Sequence, residues 1–246
     1  MPLFEFIAVA LAGLIGGAYG TLVGAGNMLA MPLLIFFGYP PYEAIAAAKL
    51  GTLGITSSGY YKFRKKGLVN HKIGMFVTIF ALIGSLIGTN LVLKTDEAVV
   101  EKMIGFVIIL MAFMALVKTD VGLKSKDLRK RHYFAGSILS FLLGIYIGFI
   151  GLAAGTFLIY MGIFVFGQTL LQSAATIKIP GFISNLGSVI VLVLNGKMLW
   201  LIGIVLFISM AIGSYIGAHY SDRIGNVWLK RIFIATAAIM ALKLLL

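Results

Sequence analysis

Lys49 and Lys178 each stand inside a long apolar stretch, residues 42–61 and 170–194. At 1.5 Å of rise per helical residue, each lies roughly 10–12 Å deep in a hydrocarbon layer about 30 Å thick. An ammonium at such a depth costs about 2.5–3.5 kcal/mol on insertion scales unless a polar site receives it. Two in matched surroundings mark a site, and their sign suits an anion. The plainer alternative is that both side chains snorkel or bind carbonyls as structural glue. Polar residues follow within one to three turns: Thr52, Thr56, Ser57 and Ser58 after Lys49, and Ser184, Asn185 and Ser188 after Lys178. They are placed to line a common cavity, although serine and threonine also bond to their own helix. Gly51 and Pro180-Gly181 are expected to break the two helices beside the lysines. Unwound backbone in lipid is tolerated where it lines a cavity.

Two glycine-containing tips complete the candidate set: Gly24-Ala25-Gly26-Asn27 and Ala153-Ala154-Gly155-Thr156. A short helix starting at such a tip presents free N–H groups and the positive end of its dipole, which favour an anion. Asn27 and Thr156 are the expected N-cap residues. The candidate binding residues are therefore Lys49, Lys178, Asn27, Thr156, Gly26, Gly155, Ser57, Ser184 and Asn185. Glycines spaced four apart, Gly16/Gly20/Gly24, Gly84/Gly88, Gly144/Gly148 and Gly213/Gly217, are read instead as close helix packing.

Other chemistry finds no support. Residues 20–26 have no Gly-Lys-Ser/Thr ending and no preceding strand, so neither a P-loop nor a dinucleotide fingerprint is present. Cysteine is absent, His71, His132 and His219 are scattered, and no carboxylates pair inside apolar segments. No catalytic residue, metal site or cofactor is expected, and acid–base hydrolysis is disfavoured.

The elements that must hold these residues are membrane helices. A chain 61% hydrophobic and 11% charged departs far from soluble domains, which run about 45–50% apolar and 25% charged. Ten apolar segments succeed one another: 3–25, 28–37, 42–61, 73–93, 103–117, 133–153, 157–166, 170–194, 198–218 and 232–246. Segments 28–37 and 157–166 are too short to cross alone. The first segment has no basic leader, carries Glu5 and shows no clear cleavage site, so it is read as part of the mature protein. The net charge of +12 sits mainly in loops 62–72, 118–131 and 223–231. Short basic loops of this kind mark a cytoplasmic face. They leave no extramembrane domain for nucleic acid.

Lys49 and Lys178 are 129 positions apart, and the same offset pairs Gly26 with Gly155, Gly38 with Gly167, Gly67 with Gly196 and Gly74 with Gly203. It also lays Ile83-Gly84-Ser85-Leu86-Ile87-Gly88 over Ile212-Gly213-Ser214-Tyr215-Ile216-Gly217. The match fades before Ala25. Basic character alternates between equivalent loops of the halves, the charge signature of inverted repeats with an odd number of crossings each. The expected fold is thus an all-α polytopic membrane protein of two inverted-topology repeats. Each repeat is a broken or re-entrant hairpin plus three transmembrane helices, giving 8–10 helical segments in all. The first repeat is residues 1–117, the basic cytoplasmic linker 118–131 and the second repeat 132–246, with both termini outside.

The sequence resembles the TauE/SafE family of membrane proteins, named for sulfite export. The resemblance rests on the first hairpin ending in Met31-Pro32-Leu33, on Ala46-Ala47-Ala48-Lys49-Leu50, and on Ile177-Lys178 followed by Ser184-Asn185-Leu186-Gly187 and Asn195-Gly196-Lys197. It implies transport of sulfite, a sulfonate or a related sulfur-containing anion in a multi-pass protein of the inner membrane. Fewer glycines stand at Gly24–Asn27 than the family pattern has. The residues alone give alternating access around a midplane site, with another organic anion or a non-transporting scaffold as alternatives. A Schiff-base receptor would need one special lysine and an interior acid, not two matched lysines. The expected partners are a small anion and the lipid bilayer, with a homodimer admitted.

Overall fold

The computed structural model describes residues 2–116 and 130–221. It contains ten helices in that span: α1 (Leu3–Val23), α2 (Asn27–Phe36), α3 (Pro41–Lys65), α4 (His71–Val92), α5 (Glu97–Leu116), α6 (Lys130–Phe149), α7 (Ala154–Phe164), α8 (Leu170–Thr176), α9 (Lys178–Leu194) and α10 (Trp200–His219). The helix expected at 232–246, the basic loop 223–231 and most of the linker 118–131 lie outside the described residues, and α6 begins with the linker's last two positions. No strand occurs among the described residues. Among the described residues five helical spans are long and apolar enough to cross a membrane: α1, α4, residues 132–149 of α6, the α8–α9 pair and α10. The chain is a multi-pass, all-helical membrane protein.

Lipid is the solvent for the outer surface, so large apolar side chains point outward and small ones inward. On α4 the stripe Met75, Ile79, Ile83 and Leu86 is exposed, and on α10 the equivalent stripe Ile204, Ile208, Ile212 and Tyr215. The opposite faces carry Gly84/Gly88 and Gly213/Gly217. A Cβ on Gly84 would stand 2.2 Å from the Phe141 carbonyl oxygen, and one on Gly213 2.0 Å from that of Leu14. Lipid tails leave little hydrophobic drive between helices, so close backbone approach supplies the packing. Gly84/Gly88, Gly144/Gly148 and Gly213/Gly217 are packing devices that join different repeats, α4 of the first to α6 of the second and α10 of the second to α1 of the first, whereas Gly16 and Gly20 pack on Gly26 of their own repeat.

Each repeat opens with a re-entrant hairpin. Phe4 meets Phe37 edge-on and the Tyr39 hydroxyl donates to Glu5 at 3.1 Å, so α1 begins on the side where α2 ends. Tyr133 and Phe166 close α6 on α7 in the same way. The first hairpin shares its end of the bundle with the Glu43–Lys197 ion pair (3.3 Å) and the hydrogen bond from Tyr42 to the Thr95 carbonyl. The second shares the opposite end with Lys66, which donates to Ser221 at 2.9 Å, and with the Asn70 amide, which donates to the Thr176 hydroxyl at 3.1 Å. The hairpins therefore enter from opposite ends. Helices α2 and α7, of 10 and 11 residues, are about 15 Å long, half of a core about 30 Å thick.

The repeat extends further than the gapless offset reveals. Gly17 packs on the Met210 backbone as Gly144 packs on that of Ala81. Met210 and Ala81 are 129 positions apart, whereas Gly17 and Gly144 are 127 apart. The second hairpin has two more residues at its tip. Gly24 and Gly151 both turn there in the left-handed region, at φ 85° and 69°, and Ala153 adds a third such turn at φ 54°.

One expectation fails. Helix α3 runs unbroken through Lys49 and Gly51, because Gly51 serves packing: a Cβ there would meet Met210 Sδ at 2.7 Å. In the second repeat the interruption falls at Ile177, before Lys178 rather than after it. Pro180 has no N–H for the Thr176 carbonyl four residues back, which opens the ladder at that point.

Gly148→Ala is expected to destabilise the protein by about 1–3 kcal/mol, because the new Cβ would sit 2.0 Å from the Ser85 carbonyl oxygen. Gly38→Ala, where φ is 83° and nothing lies within 4 Å, should cost only the backbone strain of about 1 kcal/mol. Thermal unfolding in detergent checks both; equal losses would refute the packing account.

Candidate functional site

The two hairpin tips meet in the middle of the bundle. A Cβ on Gly24 would lie 2.2 Å from the Gly155 backbone, and one on Gly155 2.5 Å from the Gly24 carbonyl oxygen. Beside this contact is a cavity of about 50 Å³, several times the roughly 10–15 Å³ that one water needs. Its walls are the tips (Gly24, Gly26, Asn27, Gly151, Ala154, Gly155), the α3 face Thr52, Ile55 and Thr56, and the α9 residues Lys178, Gly181 and Asn185. Thr52 is the repeat mate of Gly181 and Thr56 of Asn185. The lining contains one cation and no carboxylate. The N-termini of α2 and α7 both open on it, each bringing the positive end of a dipole.

Among the expected residues, Gly26, Gly155, Asn27, Lys178 and Asn185 come together on this cavity. Lys49 stands behind the wall, its ammonium donating to the carbonyl of Ile147, itself a lining residue. Lys178 donates to the Thr21 carbonyl at 2.8 Å. Both lysines are almost wholly enclosed, at 1% and 2% exposure, so neither snorkels to a headgroup. Each takes its acceptor from the first helix of the other repeat. Both carbonyls lie in the last turn or so of their helices, where acceptors have no intrahelical donor.

The polar residues divide by helical phase. Thr52, Ile55 and Thr56 share one face of α3, and Ser57, turned about 100° further, leaves the cavity to donate to the Leu53 carbonyl at 2.7 Å. Ser184 is fully buried outside the lining, its hydroxyl unpartnered. The N-cap assignment is corrected as well. Gly26 and Ala153 are the cap residues and neither cap has a side-chain bond. Asn27 instead reaches across to the opposite tip, donating to the Gly151 carbonyl at 3.0 Å and accepting from the Ala153 amide at 3.1 Å. Thr156 does the reciprocal, donating to the Val23 carbonyl at 2.8 Å. Each side chain completes the other hairpin's turn because the tips lie in contact. Gly151, which also lines the cavity, was hidden by the two-residue difference that broke the repeat register there, and Gly20, read as a packing glycine, lines it too. Among the described residues no three His, Cys, Asp or Glu come together to hold a metal.

The family described as sulfite exporter TauE/SafE matches residues 9–244, and the chain belongs to it. The chain is 28% identical to a "Probable membrane transporter protein" of Haemophilus influenzae, over 94% of this chain and 91% of that protein. It is 27% identical to "Probable membrane transporter protein YfcA" of Escherichia coli K12, over 94% and 86%. To "Probable membrane transporter protein YdhB" of Bacillus subtilis it is 25% identical, over 96% of both chains. No solved structure matches the chain. Family description and relatives' names alike support a membrane transporter rather than an enzyme.

Asn27→Ala should lower stability by about 1–3 kcal/mol, because it strands a buried carbonyl and a buried amide of the opposite tip. The readout is the midpoint of thermal unfolding in detergent, and an unchanged midpoint would show that the cross-tip bonds are dispensable.

Proposed function

We propose that this TauE/SafE family member carries a small sulfur-containing oxyanion, sulfite or a sulfonate, across the inner membrane by alternating access. The observation that carries this reading is the cavity between two opposed helix N-termini, where Lys178 is the one charge and no carboxylate competes. In a water-poor site a buried ammonium and two dipole ends favour a guest bearing negative charge and oxygen acceptors. Lys49, one wall away, adds its charge through Ile147. Gly26 and Gly155 let backbone N–H groups approach the anion, and Asn27 and Thr156 hold those tips in register. Asn185 offers a hydrogen bond from the wall, and Ser57 and Ser184 lie close enough in sequence to act in another conformation of the cycle. The family's description supports the sulfur oxyanion.

Movement about the cavity is supported by how the repeats are joined. The polar contacts between them at the ends include Glu43 with Lys197 at one, and Lys66 with Ser221 and Asn70 with Thr176 at the other, beside apolar contacts such as those of Phe63 and Ala218. A part-exposed ion pair contributes about 0–1 kcal/mol, so the Glu43–Lys197 pair itself holds its end only weakly. The end that carries Lys62, Arg64, Lys65, Lys66 and Lys72 faces the cytoplasm on the positive-inside rule.

Purified protein in proteoliposomes should take up sulfite, and Lys49→Met and Lys178→Met should each lower the flux at least tenfold. A thermal-shift panel of sulfite, sulfate, thiosulfate, sulfonates and carboxylates identifies the preferred anion. If both variants keep wild-type flux, the lysines are structural. If no anion raises the melting temperature, the scaffold reading replaces transport.

A further inference from the structure

The two lysine corners are built from equivalent positions yet differ in their hydroxyl groups. Lys49 binds the carbonyl of Ile147, next in sequence to Gly148, whose carbonyl accepts from Thr89, itself bonded to Ser188. There the Thr89 hydroxyl donates within reach of Ser188 Oγ (2.9 Å) and the Gly148 carbonyl (3.2 Å), and Ser85 reaches the Ser184 carbonyl at 3.2 Å. Ser85, Thr89 and Ser188 each have a partner there, and the Ser184 hydroxyl has none. The Lys178 corner has Gly59 where the other has Ser188, and Ala218 where the other has Thr89. Its Ser214 donates to the Ile55 carbonyl at 2.8 Å, the counterpart of the Ser85 bond. Thr21 belongs to this corner alone, and its hydroxyl is fully buried without a partner.

The unpartnered hydroxyl lies beside the lysine. Lys178 Nζ binds the carbonyl of Thr21 itself, and a Cβ on Gly59 would stand 2.7 Å from Thr21 Oγ1 and 3.1 Å from Lys178 Cε. Gly59 has no side chain at that point, where its counterpart is Ser188, and Thr21 Oγ1 and Lys178 Cε take up the space. The cavity reaches Lys178 and not Lys49. A buried hydroxyl without a partner is unfavourable unless a guest supplies one; the Ser184 hydroxyl is unpartnered too, but only Thr21 is bound through its own carbonyl by a lysine that lines the cavity.

We propose that the transported anion docks at the Lys178 corner, one of its oxygens accepting hydrogen bonds from the Lys178 ammonium and the Thr21 hydroxyl, while Lys49 acts on it through charge alone. This rests on the transport reading above and divides the two lysines into a contact and a field. Lys178 has two N–H bonds left after the Thr21 carbonyl takes one. Those and the hydroxyl form a three-donor corner suited to a trigonal or tetrahedral oxyanion.

Thr21→Val separates binding from folding, because it keeps the side chain's shape and removes only the hydroxyl. Full-length protein in detergent is titrated with sodium sulfite by thermal shift, and flux is followed in proteoliposomes. The Thr21→Val protein without ligand should melt no lower than wild type, since the lost hydroxyl bonded nothing, while its sulfite affinity falls about tenfold. Thr21→Ser should recover most of that affinity. Unchanged affinity in Thr21→Val overturns the proposal, and so does a lower melting point in the absence of ligand, which would reveal an internal partner. A wild-type protein that responds to no anion removes the transport reading itself, a result distinct from either.

Discussion

Backbone touches backbone where the two hairpins meet, and the architecture depends on that contact. Gly24 and Gly155 leave no room for a methyl group between the tips. With the tips in contact, α2 and α7 end their N-termini at one point near mid-membrane and the polar backbone there needs neither lipid nor bulk water. Irregular chain at such a depth is tolerable only when enclosed in protein or lining a cavity. Asn27 and Thr156 supply bonds that each turn lacks on its own, and each draws its partner from the opposite repeat. Neither tip is satisfied alone, so the two repeats must fold around each other.

Swapped helix contacts follow from the same requirement. If each hairpin is completed by the other repeat, the flanking helices must interleave, and they do through α4 against α6 and α10 against α1. Small residues make those crossings, and the large apolar ones are left for lipid. The lysines become bearable in this setting because the first helix of each repeat ends near the tip, leaving carbonyls without helical donors. Lys49 and Lys178 take two of them. An ammonium that satisfies a stranded carbonyl solves two desolvation problems at once.

Much of this was legible in the sequence, for reasons that can be named. The offset between Lys49 and Lys178, the small-residue spacing and the two short apolar segments are local patterns imposed by membrane thickness and helix period. The hairpins, the packing glycines and the enclosure of both lysines accordingly stand in the structure where those patterns put them. Other features arise between elements and leave no local trace. The sequence shows an asparagine after a glycine at Gly26-Asn27, which reads as a cap; only the opposite tip reveals its true partners. Gly51 after Lys49 has the look of a helix break because a glycine that loosens a helix and one that admits a neighbour are the same letter. Ser57 and Thr56 are adjacent hydroxyls, and a turn of about 100° per residue separates cavity from wall. The two additional residues at the second tip shift the register of α6 against α1, which is why the repeat faded just where the site lies.

Inverted repeats invite the assumption that their halves exchange roles during a transport cycle, so that an asymmetry seen in one conformation is reversed in the next. Part of the asymmetry here fits that picture, since a cavity can move from one lysine to the other as helices shift. Another part does not, because it is written in residue identity. One half carries Ser188 and Thr89 where the other carries Gly59 and Ala218, a difference that no movement of the helices removes. A cycle that is symmetric in backbone is therefore unequal in chemistry. Under the proposed docking a guest meets Lys178 and the Thr21 hydroxyl on one side of the midplane, and on the other a lysine whose half carries the bonded pair Thr89 and Ser188. Unequal holding changes how fast a guest leaves on each side, while the net direction of a passive exchange of conformations is still set by the gradient.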